Sequence, residues 1–77
     1  MTDKYKILRA LSHETRLQIV ELLNKGERPV WGLLRDVKCS PQVISKHLSV
    51  LKDAGIVEDE KAGVEIFYRL KLEVMVF

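Results

Sequence analysis

Apolar positions recur at helical spacing through the first two-thirds of the chain and at strand spacing after that. Tyr5, Leu8 and Leu11 stand three apart, which puts them on one face and predicts a short helix over 3–11. Thr2 can cap that helix, with Asp3 at its positive end. Leu17, Val20 and Leu23, widened by Ile19 and Leu22, predict a second helix over 13–24, with Ser12 as N-cap. Pro29 opens a third, ending near Val37, made strongly apolar by Val30, Trp31, Leu33 and Leu34. The fourth helix has the clearest start. Ser40 is the N-cap, Pro41 takes the N1 position, where a missing N–H costs nothing, and Cys39 with Ile44 forms a hydrophobic staple. Ile44, Leu48 and Leu51 face inward with Val43, His47 and Ala54 flanking, and Gly55 follows as the C′ residue.

Beyond Gly55 the texture changes. Ile56-Val57 is β-prone, Lys61-Ala62-Gly63 reads as a turn, and residues 64–70 are rich in β-branched and aromatic side chains, the pattern of a two-stranded hairpin. From Leu70 the alternation Leu-Lys-Leu-Glu-Val-Met-Val fits either a continued strand or a final helix. The expected fold is mostly α with a small β-hairpin (α+β). It is a single winged helix-turn-helix domain over 1–77, with the helix-turn-helix at about 29–54 and the wing at about 56–70.

That arrangement suggests a chemistry. The second helix of such a pair fits the major groove of B-DNA if one face anchors it and the other offers short or basic side chains. Gln42, Ser45, Lys46 and Ser49 lie opposite the apolar face of helix 41–54, and none is acidic. Gln pairs bidentately with adenine, Ser donates or accepts, and Lys reaches guanine or a phosphate. The amides near Ser40 offer a further phosphate site. On an isolated amphipathic helix the same face would be merely solvated. The hairpin that follows turns the balance toward DNA.

Composition adds less. A chain of 77 residues buries a small core and gains from dimerising. A net charge of +2, with pI near 8.8, is only mildly basic. One cysteine permits no internal disulfide, and no apolar run is long enough for a signal core or a span, so a cytoplasmic chain without membrane contact is expected.

The segment 10–23, Ala-Leu-Ser-His-Glu-Thr-Arg-Leu-Gln-Ile-Val-Glu-Leu-Leu, resembles the second helix of the ArsR/SmtB family of transcriptional repressors. The segment 40–51, Ser-Pro-Gln-Val-Ile-Ser-Lys-His-Leu-Ser-Val-Leu, is similar to that family's recognition helix nearly position by position. Residues 52–57 resemble its exit, and 66–70, Ile-Phe-Tyr-Arg-Leu, its second wing strand. The resemblance implies a sequence-specific regulator of duplex DNA, a repressor. It implies a homodimer packed through the first and last helices, which places Tyr5, Leu8, Leu72, Val74, Val76 and Phe77 at the interface. It also implies that Gln42, Ser45 and Lys46 face bases or nearby backbone and that His47 lies close to the DNA backbone, against an equal reading of His47 as a packing residue. Ser40, Ser49 and, on the wing, Lys61 complete the expected DNA contacts.

The chain departs from the family at three places. Where metal sensors carry Cys-x-Cys, residues 29–33 read Pro-Val-Trp-Gly-Leu, and the tail has no His, so no metal and no cofactor is expected. The wing lacks an Arg at its tip, with Lys61 set amid Asp59, Glu60 and Glu65. The chain ends at Phe77, short of a long last helix. No nucleophilic triad or phosphate loop suggests an enzyme. The competing reading is a winged-helix protein-interaction module without specific DNA binding. Cys39 carries two readings of its own, a reactive thiol beside Lys38 at a helix start or the apolar half of a staple, and packing is the favoured one.

Overall fold

A computed structural model describes residues 4–71. Its elements are α1 (Lys4–Leu11), α2 (Glu14–Asn24), β1 (Arg28–Pro29), α3 (Val30–Asp36), α4 (Pro41–Asp53), β2 (Val57–Ala62) and β3 (Glu65–Leu70). The expected cap at Thr2 and Asp3, the open question of the tail, and the interface positions Leu72, Val74, Val76 and Phe77 lie outside the described residues.

The core is built where the four helices and the base of the hairpin converge. Ile7 and Ala10 come from α1, Ile19 and Leu23 from α2, Leu33 from α3 and Ile44, Leu48 and Leu51 from α4; Val37, Ala54, Ile56 and Val57 close it. No polar or charged residue among those described is buried, so the core is held by apolar burial alone. The inward stripe of α2 is therefore Ile19 and Leu23, whereas Leu17 remains 45% exposed. The hydrophobic period identified the helix and misplaced its buried face by part of a turn.

Local signals fix the helix ends. Ser40 Oγ accepts the Val43 amide at 3.3 Å, and Pro41 follows as N1. At the other end of α4, Gly55 N–H donates to Lys52 O and Ile56 N–H to Leu51 O, both at 3.0 Å, a Schellman closure. Its pivot is Gly55 at φ +78°, a backbone that a side chain would strain. The start of α2 corrects the expectation. The cap is His13, whose Nδ1 accepts the Thr15 amide at 3.1 Å. Ser12 instead donates its hydroxyl back to Arg9 O at 2.7 Å, so it ends α1. Ser12 follows α1 directly and bonds back to it, and the next residue takes the cap of α2.

The hairpin is longer and tighter than its composition suggested. Ala62 pairs with Glu65, which puts Lys61 and Ala62 in the strand and leaves Gly63-Val64 as a two-residue loop. Gly63 has φ +65° at the first loop position, as a type II′ turn requires. A third strand was not foreseen. Arg28 and Pro29 pair with Tyr68 and Phe67, giving an antiparallel sheet in the order β1-β3-β2. Two residues carry no period of their own, and Pro29 serves at once as strand residue and N-cap of α3. Trp31 is also misplaced by an apolarity argument. It is 55% exposed, its indole N–H donates to Glu65 at 2.6 Å, and Arg35 lies over its ring at 5.5 Å, so it joins α3 to the wing instead of filling the core.

Candidate nucleic-acid interface

The outer surface of α4 follows from the burial of its inner one. Ile44, Leu48 and Leu51 are at most 2% exposed, and they fix the rotation of the helix. Gln42, Ser45, Lys46 and Ser49 are then all exposed, together on the opposite face. None of the four has a side-chain hydrogen bond or ion pair among the described residues, so each is available to a ligand. Val43, expected to flank the core, is 41% exposed on the same side; an apolar surface there suits a thymine methyl. The sequence signal for Val43 is ambiguous because it sits between the two faces.

The helix start offers less than expected. Pro41 has no amide proton, and the Ser40 hydroxyl consumes the Val43 amide. The Gln42 amide is the one left unbonded in that first turn. Ser40 itself is exposed and keeps its hydroxyl proton to donate.

His47 is half-buried on the flank of α4 that faces α2. Its ring meets that of His13, with centroids 4.5 Å apart and planes tilted 54°. Burial, then the positive charge of His13, Arg16 and Lys46, holds the His47 imidazole below its ordinary range. Nothing in the sequence marks this pair, since the residues stand 34 positions apart; only the packing of α2 on α4 brings them together. Arg16 beside it has a buried Nε with no partner.

Lys61 is exposed on β2, opposite Ile66, and does not join the α4 face in any contact. Charge on the wing is otherwise absorbed internally. Arg69 reaches Glu58 at 2.7 Å, Glu60 at 2.9 Å and Glu27 at 3.0 Å, and Lys52 of α4 pairs with Asp59 at 3.0 Å. The three carboxylates push the Arg69 guanidinium pKa well above its ordinary value. This clamp ties the chain before β1 to both hairpin strands, and no local pattern in the sequence signals it.

Tyr5 and Leu8 are 67% and 59% exposed on α1, an apolar surface on the side away from the core. Cys39 is half-buried, packs at the edge of the core and lies 4.0 Å from Thr15 Oγ1. Among the described residues no group of three or more His, Cys, Asp or Glu is placed to hold a metal ion, and no helix is long and apolar enough to cross a membrane.

Residues 13–59 match the profile of the family described as bacterial regulatory protein, arsR family. The chain is 38% identical over 65 residues to the HTH-type transcriptional repressor SmtB of Mycobacterium tuberculosis, covering 84% of this chain and 48% of that protein. It therefore spans about half the length of that relative. Among solved structures it is similar to Rv0081 of M. tuberculosis, with TM-score 0.85 and 31% identity over 94% of this chain and 77% of that one. It is equally similar to Mb0332 of Mycobacterium bovis, described as a homodimeric winged helix-turn-helix DNA-binding domain. The TM-score is 0.86 at 32% identity, covering 91% of this chain and 66% of that one.

Proposed function

The chain belongs to the arsR family of bacterial regulatory proteins, and from that premise we propose that it is a transcriptional repressor that reads duplex DNA with α4 in the major groove. The observation that carries this reading is the division of α4: an inner face at most 2% exposed and an outer face of Gln42, Ser45, Lys46 and Ser49, unpartnered among the described residues. Gln42 and Ser45 address base edges, Lys46 a guanine or phosphate, and Ser49 and Ser40 the backbone. Lys61 gives the wing a single weak contact. The relatives named as repressors support this over a protein-interaction module.

The same reading makes 1–77 one winged-helix domain that works as a homodimer, without metal or enzymatic chemistry, in the cytoplasm. The exposed Tyr5 and Leu8 of α1 support the dimer, as does the small number of bases one module can touch. Selection from random duplexes at two salt concentrations tests the function. The expected product is a site with two half-sites about one helical turn apart. Sedimentation then has to give a dimer at micromolar concentration. Enrichment of no sequence, or protection of one unsplit half-site by a monomer, would refute the corresponding part.

A further inference from the structure

Two clefts in the helical part of the molecule differ in charge. One, between α2 and the turn that precedes α4, has Glu14, Glu21 and Asp36 against Lys25 and Lys38 in its walls. The other, of about 550 Å³, lies where α1, the start of α2 and the C-terminal half of α4 meet. Its walls carry Lys6, Arg9 and Arg16 against a single carboxylate, Asp53. Lys6 takes Asp53 at 3.0 Å, which leaves two guanidinium groups without a counter-charge. Arg9 lies over the Tyr5 ring at 5.7 Å and has no ion pair among the described residues. Arg16 is half-buried, and its Nε is shut off from water with no hydrogen bond among the described residues. The other arginines are answered, Arg28 and Arg35 by Asp36 and Arg69 by three glutamates.

A buried donor on a cation is costly when unpaired, and native proteins normally pair such groups. In the free protein that nitrogen has already lost its water. A ligand carboxylate that meets the Arg16 guanidinium therefore gains charge-assisted hydrogen bonds without stripping Nε of solvent, and its two oxygens match the planar fork. The remaining walls are apolar. Ala10 and Ala54 are 3% and 6% exposed, Val50 is half-buried, and Tyr5 adds an aromatic ring. Such walls suit an anion that carries an apolar body, and they give a bare inorganic anion nothing to bury.

We propose that this cleft binds a small organic carboxylate, its charged end on Arg16 and Arg9 and its apolar body against Ala10, Val50 and Ala54. Lys6 stays with Asp53, so the two arginines supply the attraction. The cleft uses the opposite end of α4 from Gln42 and Ser45, and the inference stands on the free protein whether or not the chain reads DNA.

The test titrates benzoate and hexanoate into the wild-type chain and follows backbone amide shifts by NMR. Benzamide, the uncharged counterpart of benzoate, and inorganic phosphate, a compact anion, run beside them. Both carboxylates are expected to shift the amides of Ala10, Arg16, Val50 and Ala54 saturably. Benzamide and phosphate are expected to bind at least about tenfold more weakly than benzoate, one for want of charge and the other for want of an apolar body. Arg16→Gln is expected to weaken benzoate about tenfold or more, by loss of hydrogen bonds to a charged group. Arg16→Lys keeps the charge without the fork and is expected to fall between. If these variants do not fold, the contrast of benzoate with benzamide on wild type decides alone. Saturation with a selected duplex separates two sources of anion. Benzoate is expected to bind the complex as it binds the free protein, and its complete exclusion would assign the cleft to a phosphate of DNA and overturn the proposal. No saturable shift with either carboxylate, equal binding of benzamide, or full affinity in a folded Arg16→Gln would overturn it as well. Failure to select any duplex would count against the proposed function and leave the benzoate result standing.

Discussion

Helix α4 and the β2–β3 hairpin each carry two basic residues, Lys46 and Lys52 on one, Lys61 and Arg69 on the other. In α4 the only acid is Asp53, held by Lys6 of α1. The hairpin carries Glu58, Asp59, Glu60 and Glu65; Glu58 and Glu60, with Glu27 from before β1, hold Arg69, and Asp59 pairs with Lys52 of α4. The wing is therefore a self-neutralised structure that brings little positive charge to a phosphate backbone, and Lys46 remains available. A count of basic residues would rate the two regions equal. Their difference lies in which charges already have partners, because an ion pair made within the protein must be broken before either member can release a counterion from DNA.

The strongest way to break the comparison is to remove the anchor both regions share. Leu51 is fully buried, and its carbonyl accepts Ile56 N–H where the chain turns from α4 into the wing. Leu51→Ala is expected to cost about 2–5 kcal/mol in urea unfolding, with binding lost through unfolding. Gln42→Ala sharpens it instead. The exposed amide contributes nothing to the core, so stability is expected to hold, while discrimination at one base pair falls by about 1–3 kcal/mol in competition binding. An unchanged preference at every position would remove Gln42 from the interface.

Smaller effects compare the two unpaired lysines directly. Lys46→Ala is expected to reduce the salt slope of binding by about one unit, and Lys61→Ala by clearly less, because Asp59, Glu60 and Glu65 surround Lys61 in the sequence of the wing. Equal losses would mean that the wing grips DNA as firmly as α4. The smallest effect is on the free protein. His47 binds its proton less readily when folded than when unfolded. Stability is therefore expected to be full above the ordinary imidazole pKa and to decline as pH falls through it, since the unfolded chain then takes up more protons. Unfolding at pH 7.5 and 5.5 checks this, with His47→Gln expected to remove the decline.

Much of this was readable from the chain because it depends on local rules. Ser40-Pro41 had to open a helix, Gly55 had to close it, and the spacing of Ile44, Leu48 and Leu51 left Gln42, Ser45, Lys46 and Ser49 facing outward. A cap, a proline and a hydrophobic period act within a few residues, so they survive whatever surrounds them. Packing alone decided the rest. Whether Trp31 fills the core or reaches Glu65, whether Leu17 or Ile19 is buried, and whether Ser12 or His13 caps α2 depended on the angle at which elements meet. The meeting of His13 with His47, and of Arg69 with three carboxylates, joins residues far apart in sequence. Electrostatic partners are fixed by distance in space, and no period along the chain encodes that distance.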